Sequence, residues 1–204
     1  MPPDPSAAAD DVWAGLRGLL LARGPRSAAR PVVVGVDGRS GSGKTDLAEA
    51  LAVRVEAAGH SCAQVHLDDL YPGWSGLAAA LPPLCADVIT PLSRGEEGAF
   101  TSWDWVADRP GPRVQVPLAD AVVVEGVGTL VSACTHLLDL RVWLEAPTDV
   151  RRDRALRRDG DVFAGHWEEW AAQEETLFPA AHQPAADVVV DTVTGRTRWV
   201  TLAP

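Results

Sequence analysis

Residues 31–45 read Pro-Val-Val-Val-Gly-Val-Asp-Gly-Arg-Ser-Gly-Ser-Gly-Lys-Thr, an apolar run that ends in a glycine-rich turn. A run of β-branched residues without polar alternation fits a strand covered on both faces, as in a parallel sheet wrapped in helices. The turn Gly38-Arg39-Ser40-Gly41-Ser42-Gly43-Lys44-Thr45 matches G-x-x-x-x-G-K-[ST] at every position. It opens a helical run over 45–58 with Leu47, Leu51 and Val55 on one side. Glycines there let successive backbone N–H groups turn inward around phosphate oxygens, and the helix N-terminus adds its partial positive charge. Lys44 is expected to reach the β- and γ-phosphates, and Thr45 to offer its hydroxyl to Mg²⁺. The turn is a nucleoside-triphosphate site in which all eight residues are candidate ligands.

Among 204 residues the chain has seventeen arginines and one lysine, Lys44. A conventional GTPase reads guanine with an N/T-K-x-D loop, which needs a second lysine. An ABC-type ATPase would carry an LSGGQ-like signature and a strand ending in Asp-Glu, and neither is present. The net charge of −10 argues against nucleic acid or an acidic membrane as main partner. The stretch 16–24 is too short to span a membrane. Val12, Leu16, Leu19 and Leu20 share a helical face and predict a docked amphipathic helix. A cytoplasmic protein is expected, with a mobile Pro/Ala/Asp-rich segment over 1–10. Cys62, Cys85 and Cys134 are far apart and form no C-x-x-C pattern, so reduced thiols are expected, with no disulfide framework or zinc site.

Further strands are predicted at 62–67, 120–126, 138–145 and 186–191, and helices at 147–158 and 163–178. The alternation describes one α/β domain over 1–204, with a possible edge strand near the C-terminus. Residues 71–117 interrupt it with prolines, glycines and three tryptophans, and read as a functional excursion with short helices. Glu125 closes the strand 120–126 and is placed to hold Mg²⁺ through water. Asp68 and Asp69 follow the second strand, at the edge where open α/β sheets bind ligands. Side-chain alternation lets only one face the γ-phosphate, and Asp68 is favoured as proton acceptor or Mg²⁺ positioner; Asp69 is assigned to the substrate side. Five arginines over 149–160 suggest a cationic lid, spanning 149–162, for phosphoryl transfer; a solvated helix face is the plainer alternative. Trp103, Asp104 and Trp105 offer flat apolar faces and a carboxylate to a ring-bearing alcohol, and Tyr71 is placed to line the same pocket.

Taken in order, "GVDGRSGSGKT", "LDDLY", "WDW", "VVVEGVG" and "RRDRALRRD" resemble the uridine kinase-like P-loop kinases, a group that includes nicotinamide riboside kinases and, more distantly, phosphoribulokinase and pantothenate kinase. The resemblance covers roughly residues 31–191. It implies a five-stranded parallel sheet ordered 2-3-1-4-5 and flanked by helices, ATP with Mg²⁺ as donor, and a hydroxyl of a small metabolite as acceptor. By position it implies Asp68 as base, Glu125 as the acid near Mg²⁺, and Arg154 and Arg158 as lid arginines. Leu70 stands where that group carries an aromatic, and Asp104 is the one counterpart of its ribose-holding aspartate. The expected activity is phosphorylation of a nucleoside-like or vitamin-like alcohol. The alternative is an NTP-dependent regulatory ATPase or switch acting on a protein; oligomeric state is left open.

Overall fold

Every residue of β1 (Val32–Gly38) is buried, Val32–Val36 as their apolar run requires and Asp37 with them. Around it run α1 (Pro5–Arg23), α2 (Lys44–Ala57), β2 (Cys62–His66), β3 (Gly98–Asp104), β4 (Arg109–Val116), β5 (Ala121–Glu125), β6 (Leu140–Glu145), α3 (Thr148–Ala164), α4 (Trp167–Leu177), β7 (Val188–Asp191) and β8 (Arg196–Trp199), joined in places by shorter helical turns. The computed structural model describes residues 5–23, 30–179 and 184–200.

The main sheet is ordered β2-β5-β1-β6-β7-β8. The first five pair in parallel, and β8 adds an antiparallel edge. Counted over the five expected strands, this reads 2-3-1-4-5.

Alternation along β1 divides the interior into two cores. Val32, Val34 and Val36 face α1 and α2, where Val12, Leu16, Leu20, Leu47, Leu51 and Val55 are buried. Val33 faces the opposite core of Leu67, Tyr71, Leu84, Phe163, Trp167 and Trp170. The amphipathic reading of the first helix holds, since Leu19 also packs against the first core. Residues 5–10 belong to α1, and Ala8 and Ala9 are buried. This corrects the expectation of a mobile segment over 1–10; residues 1–4 lie outside the described residues.

The excursion holds the expected short helical turns over 78–93, and also an antiparallel hairpin, β3–β4. β4 is exposed along most of its length, so it carries no alternating apolar pattern to announce it. The cysteine expectation is corrected as well: Cys85 and Cys134 form a disulfide, with Cα atoms 5.4 Å apart. The helical segment containing Cys85 packs in the same core as the turn before Cys134, bringing together residues 49 apart in sequence. Cys62 remains a free, half-buried thiol.

Candidate active site

At the C-terminal end of β1 the chain turns through Gly41 (φ 76°) and Gly43 (φ 94°), both left-handed, and enters α2 at Lys44. A Cβ on Gly41 would collide with the backbone carbonyl of Arg151. Glycine is required there by conformation and by space. The Ser42 N–H donates to the Arg39 carbonyl at 3.1 Å and closes the turn. Lys44 lies along the loop, 9% exposed, with Nζ 3.4 Å from the same carbonyl. Ser42 is buried, and its hydroxyl has no partner among the described residues. Gly38 ends the strand, and Arg39 reaches away from the loop to Glu175 (2.8 Å) and the Phe178 carbonyl (2.6 Å).

Strand register delivers the acid. Glu125, last in β5, lies opposite Val36 on one side and His66 on the other. Its Oε1 accepts from Thr45 Oγ1 at 3.1 Å and lies 2.8 Å from His66 Nδ1. Burial pushes the Glu125 carboxyl up, but the His66 hydrogen bond, the Lys44 charge and the Thr45 hydroxyl outweigh it and hold it below the usual carboxylate range. The same hydrogen bond raises His66 above its ordinary value, with Asp68 and Asp69 adding to the effect. A buried carboxylate kept ionised beside a threonine hydroxyl suits a hard cation.

Asp68 and Asp69 do not continue the strand. They sit on a helical turn, Leu67–Asp69, and both are exposed. Strand alternation therefore does not choose between them, which corrects the argument used to favour Asp68. Arg154 and Arg158 line a cavity of about 520 Å³ together with Gly41, Gly43, Lys44 and Thr45. Arg154 also donates to Thr192 Oγ1 at 2.8 Å and to its carbonyl at 3.1 Å. The helix carrying them breaks at Gly160 (φ 60°, ψ −143°).

No protein-family model matches the chain. It is 26% identical over 168 residues to a uridine kinase of Latilactobacillus sakei subsp. sakei (strain 23K), covering 75% of this chain and 79% of that protein. It is 27% identical over 173 residues to a uridine kinase of Leuconostoc citreum (strain KM20), covering 76% and 81%. These similarities support a uridine kinase-like kinase. Solved structures share the fold: D-glycerate 3-kinase from Cryptococcus neoformans var. grubii aligns with a TM-score of 0.61 at 15% identity, over 94% of this chain and 98% of that one. A possible uridine kinase from Bacillus stearothermophilus aligns at 0.53 and 20% identity, over 89% and 100%. The kinase is thus a phosphotransferase acting on a hydroxyl of a small metabolite.

On its acceptor side the structure redistributes the candidate residues. Trp105 donates its indole N–H to the Asp68 carbonyl at 2.8 Å and packs on Trp74, ring centroids 4.9 Å apart. Trp74 in turn stacks on His166 at 4.3 Å and touches Phe163. The excursion is thereby docked to the end of α3. Trp103 is half-buried, and its indole N–H has no partner among the described residues. Asp104 Oδ1 accepts the N–H groups of Val106 and Ala107 at 3.1 and 3.0 Å, so this carboxylate shapes the hairpin turn.

Tyr71 does not face an open pocket. It is 1% exposed, and its hydroxyl donates to the Val127 carbonyl at 3.0 Å. Tyr71→Phe is therefore expected to lower stability by about 1–2 kcal/mol in urea unfolding and to leave the acceptor KM unchanged, because it strips a buried hydrogen bond and no substrate contact. A raised KM at unchanged stability would return Tyr71 to the substrate side.

Four contributors escaped the sequence reading. His66 is the first; its proximity to Glu125 depends on strand register. Asp37 is fully buried and accepts N–H groups from Gly38 (2.7 Å), Gly128 (3.0 Å) and Leu130 (2.8 Å). Burial pushes its carboxyl up to about 7 against the pull of those donors and Lys44. Arg151 and Glu174, buried at 6% and 1% exposure, contact the phosphate loop. Of the four, only Asp37 carried a sequence signal, a charge at the end of an apolar run; Arg151 and Glu174 stand in charged stretches.

Proposed function

We propose that this kinase transfers the terminal phosphoryl group of ATP, with Mg²⁺, to a hydroxyl of a nucleoside-like or vitamin-like metabolite. The observation that carries the reading is the joining of Thr45 and Glu125 at 3.1 Å beside Lys44, with Arg154 and Arg158 lining the cavity of about 520 Å³ that Lys44 and Thr45 also line. The residues fit the metal: Thr45 and Glu125 would hold it, the glycine turn leaves room that side chains would fill, and few protein ligands suffice when phosphates complete the shell. Bound there, Mg²⁺ supplies neutralisation of phosphate charge.

Lys44 and the loop N–H groups orient the transferring group and balance its charge. Arg154 and Arg158, on the proposed lid, add positive charge from the other side. Asp68, exposed on the turn that follows His66, takes the proton from the acceptor hydroxyl, and Asp69 holds the acceptor. Trp103 and Trp105 offer aromatic surface for its ring, with Asp104 fixing the turn that carries them. A second cavity of about 720 Å³ opens beside Arg39, between Phe178 and the Asp191–Thr194 segment, and has room for the donor's base.

Asp68→Asn is expected to lower kcat about 10²–10⁴-fold while ATP affinity stays near wild type; Asp69→Asn should be milder and act on the acceptor KM. A larger kcat loss in Asp69→Asn would exchange the roles. The reading as a whole is tested by ADP release from Mg-ATP across nucleosides, riboside vitamins, pantothenate-like alcohols and sugars. Release that depends on one class identifies the acceptor; release indifferent to every alcohol would favour a regulatory ATPase.

A further inference from the structure

We propose that Glu174, backed by Arg151, is a positioning residue for the phosphate loop, setting both backbone groups of Ser40 and through them the N–H groups that follow. The inference rests on the nucleotide-site reading and adds to it two residues from distant helices. Glu174 Oε1, on α4, accepts the Ser40 N–H at 2.6 Å. Arg151 Nη1, on α3, donates to the Ser40 carbonyl at 3.1 Å. The two charges lie 3.7 Å apart. Arg151 is itself aimed by the Ala146 carbonyl and the Thr148 hydroxyl, each at 3.2 Å.

Burying an ion pair is expensive, and apolar residues of similar volume could wedge a loop in place at lower desolvation cost. What a carboxylate and a planar guanidinium add is direction, because charge-assisted bonds are stronger and narrower in geometry than neutral ones. Direction matters here. Ser40 precedes Gly41, whose left-handed backbone lies against the Arg151 carbonyl, and from Gly41 onward the chain wraps the cavity shared with Lys44 and Thr45. A glycine-rich stretch has much freedom to lose on ordering. Holding it from two sides before the nucleotide arrives removes that cost from the binding step. A structural wedge would contribute to stability alone, whereas a positioning residue also sets phosphate affinity.

The test is calorimetric titration of a non-hydrolysable Mg-ATP analogue into wild type, Glu174→Ala and Glu174→Gln, with circular dichroism showing each folded at the working temperature. Glu174→Ala is expected to weaken analogue binding at least tenfold and to lower kcat. Glu174→Gln, whose amide oxygen can still accept the Ser40 N–H, should recover most of the affinity. Wild-type affinity and kcat in folded Glu174→Ala overturn the proposal. If Glu174→Ala does not fold, Arg151→Lys carries the test, since it keeps a cation near Glu174 but loses the planar reach to Ser40. Its ATP KM should rise at least fivefold with the acceptor KM unchanged, and an unchanged ATP KM overturns the proposal. Failure of the wild type to bind the analogue would reject the nucleotide site itself, and the positioning role with it, a result distinct from loss of the variant effect alone.

Discussion

Lys44→Ala is expected to keep the fold and lose turnover by about 10²–10³-fold or more. Lys44 is the chain's single lysine, lies along the loop with Nζ 3.4 Å from the Arg39 carbonyl, and lines the cavity that Arg154 and Arg158 share. A preorganised cation aimed at the transferring group contributes on the order of 3 kcal/mol to the barrier, because charge spreads over phosphate oxygens in the transition state and the donor needs no rearrangement to meet it. Lys44→Arg is expected to rescue little: a planar fork does not replace a slender point charge in a cradle this narrow. Steady-state ADP release, with unfolding curves to show equal stability, gives the answer. Wild-type-like turnover in folded Lys44→Ala would remove the loop from the reaction.

Asp37→Ala should produce the largest loss of stability. The carboxylate gathers three backbone N–H groups, from Gly38 beside it and from Gly128 and Leu130 beyond β5, inside a fully buried site. Each N–H left without a partner costs about 1–3 kcal/mol. The sum, about 3 kcal/mol or more, is a large share of an ordinary domain's stability. Asp37→Asn keeps a carbonyl oxygen and the volume, and should lose less than half as much. Urea unfolding at unchanged m-value is the measurement. A loss below about 1 kcal/mol in Asp37→Ala would mean that the strand-end loops hold themselves.

Asp37 also marks the limit of what could be read along the chain. It stands in the opening motif, one residue before Gly38, and nothing in its neighbourhood announces that two of its three donors lie 91 and 93 residues away. The same holds for Ser40, whose two backbone partners come from positions 151 and 174. Asp68 and Asp69 show a subtler failure: the alternation argument needed a strand to continue, and the chain instead turned at Leu67 because that side chain enters the core. Tyr71 followed Leu67 inward, since the excursion folds back and covers it.

Everything legible from residue order alone was local. An all-apolar run has to be a covered strand, glycines at 41 and 43 permit left-handed backbone, and a lysine and threonine on the first turn of the next helix face whatever that turn encloses. Each depends on residues a few positions apart, where spacing dictates geometry. Packing in three dimensions chose which distant groups meet: His66 with Glu125 through strand register, Cys85 with Cys134, Asp37 with the loop after β5, and Arg151 and Glu174 around Ser40. Those pairings have no period and no fixed separation. They are set by which faces the two cores bury together, and the buried polar groups among them must then find partners wherever packing has left one.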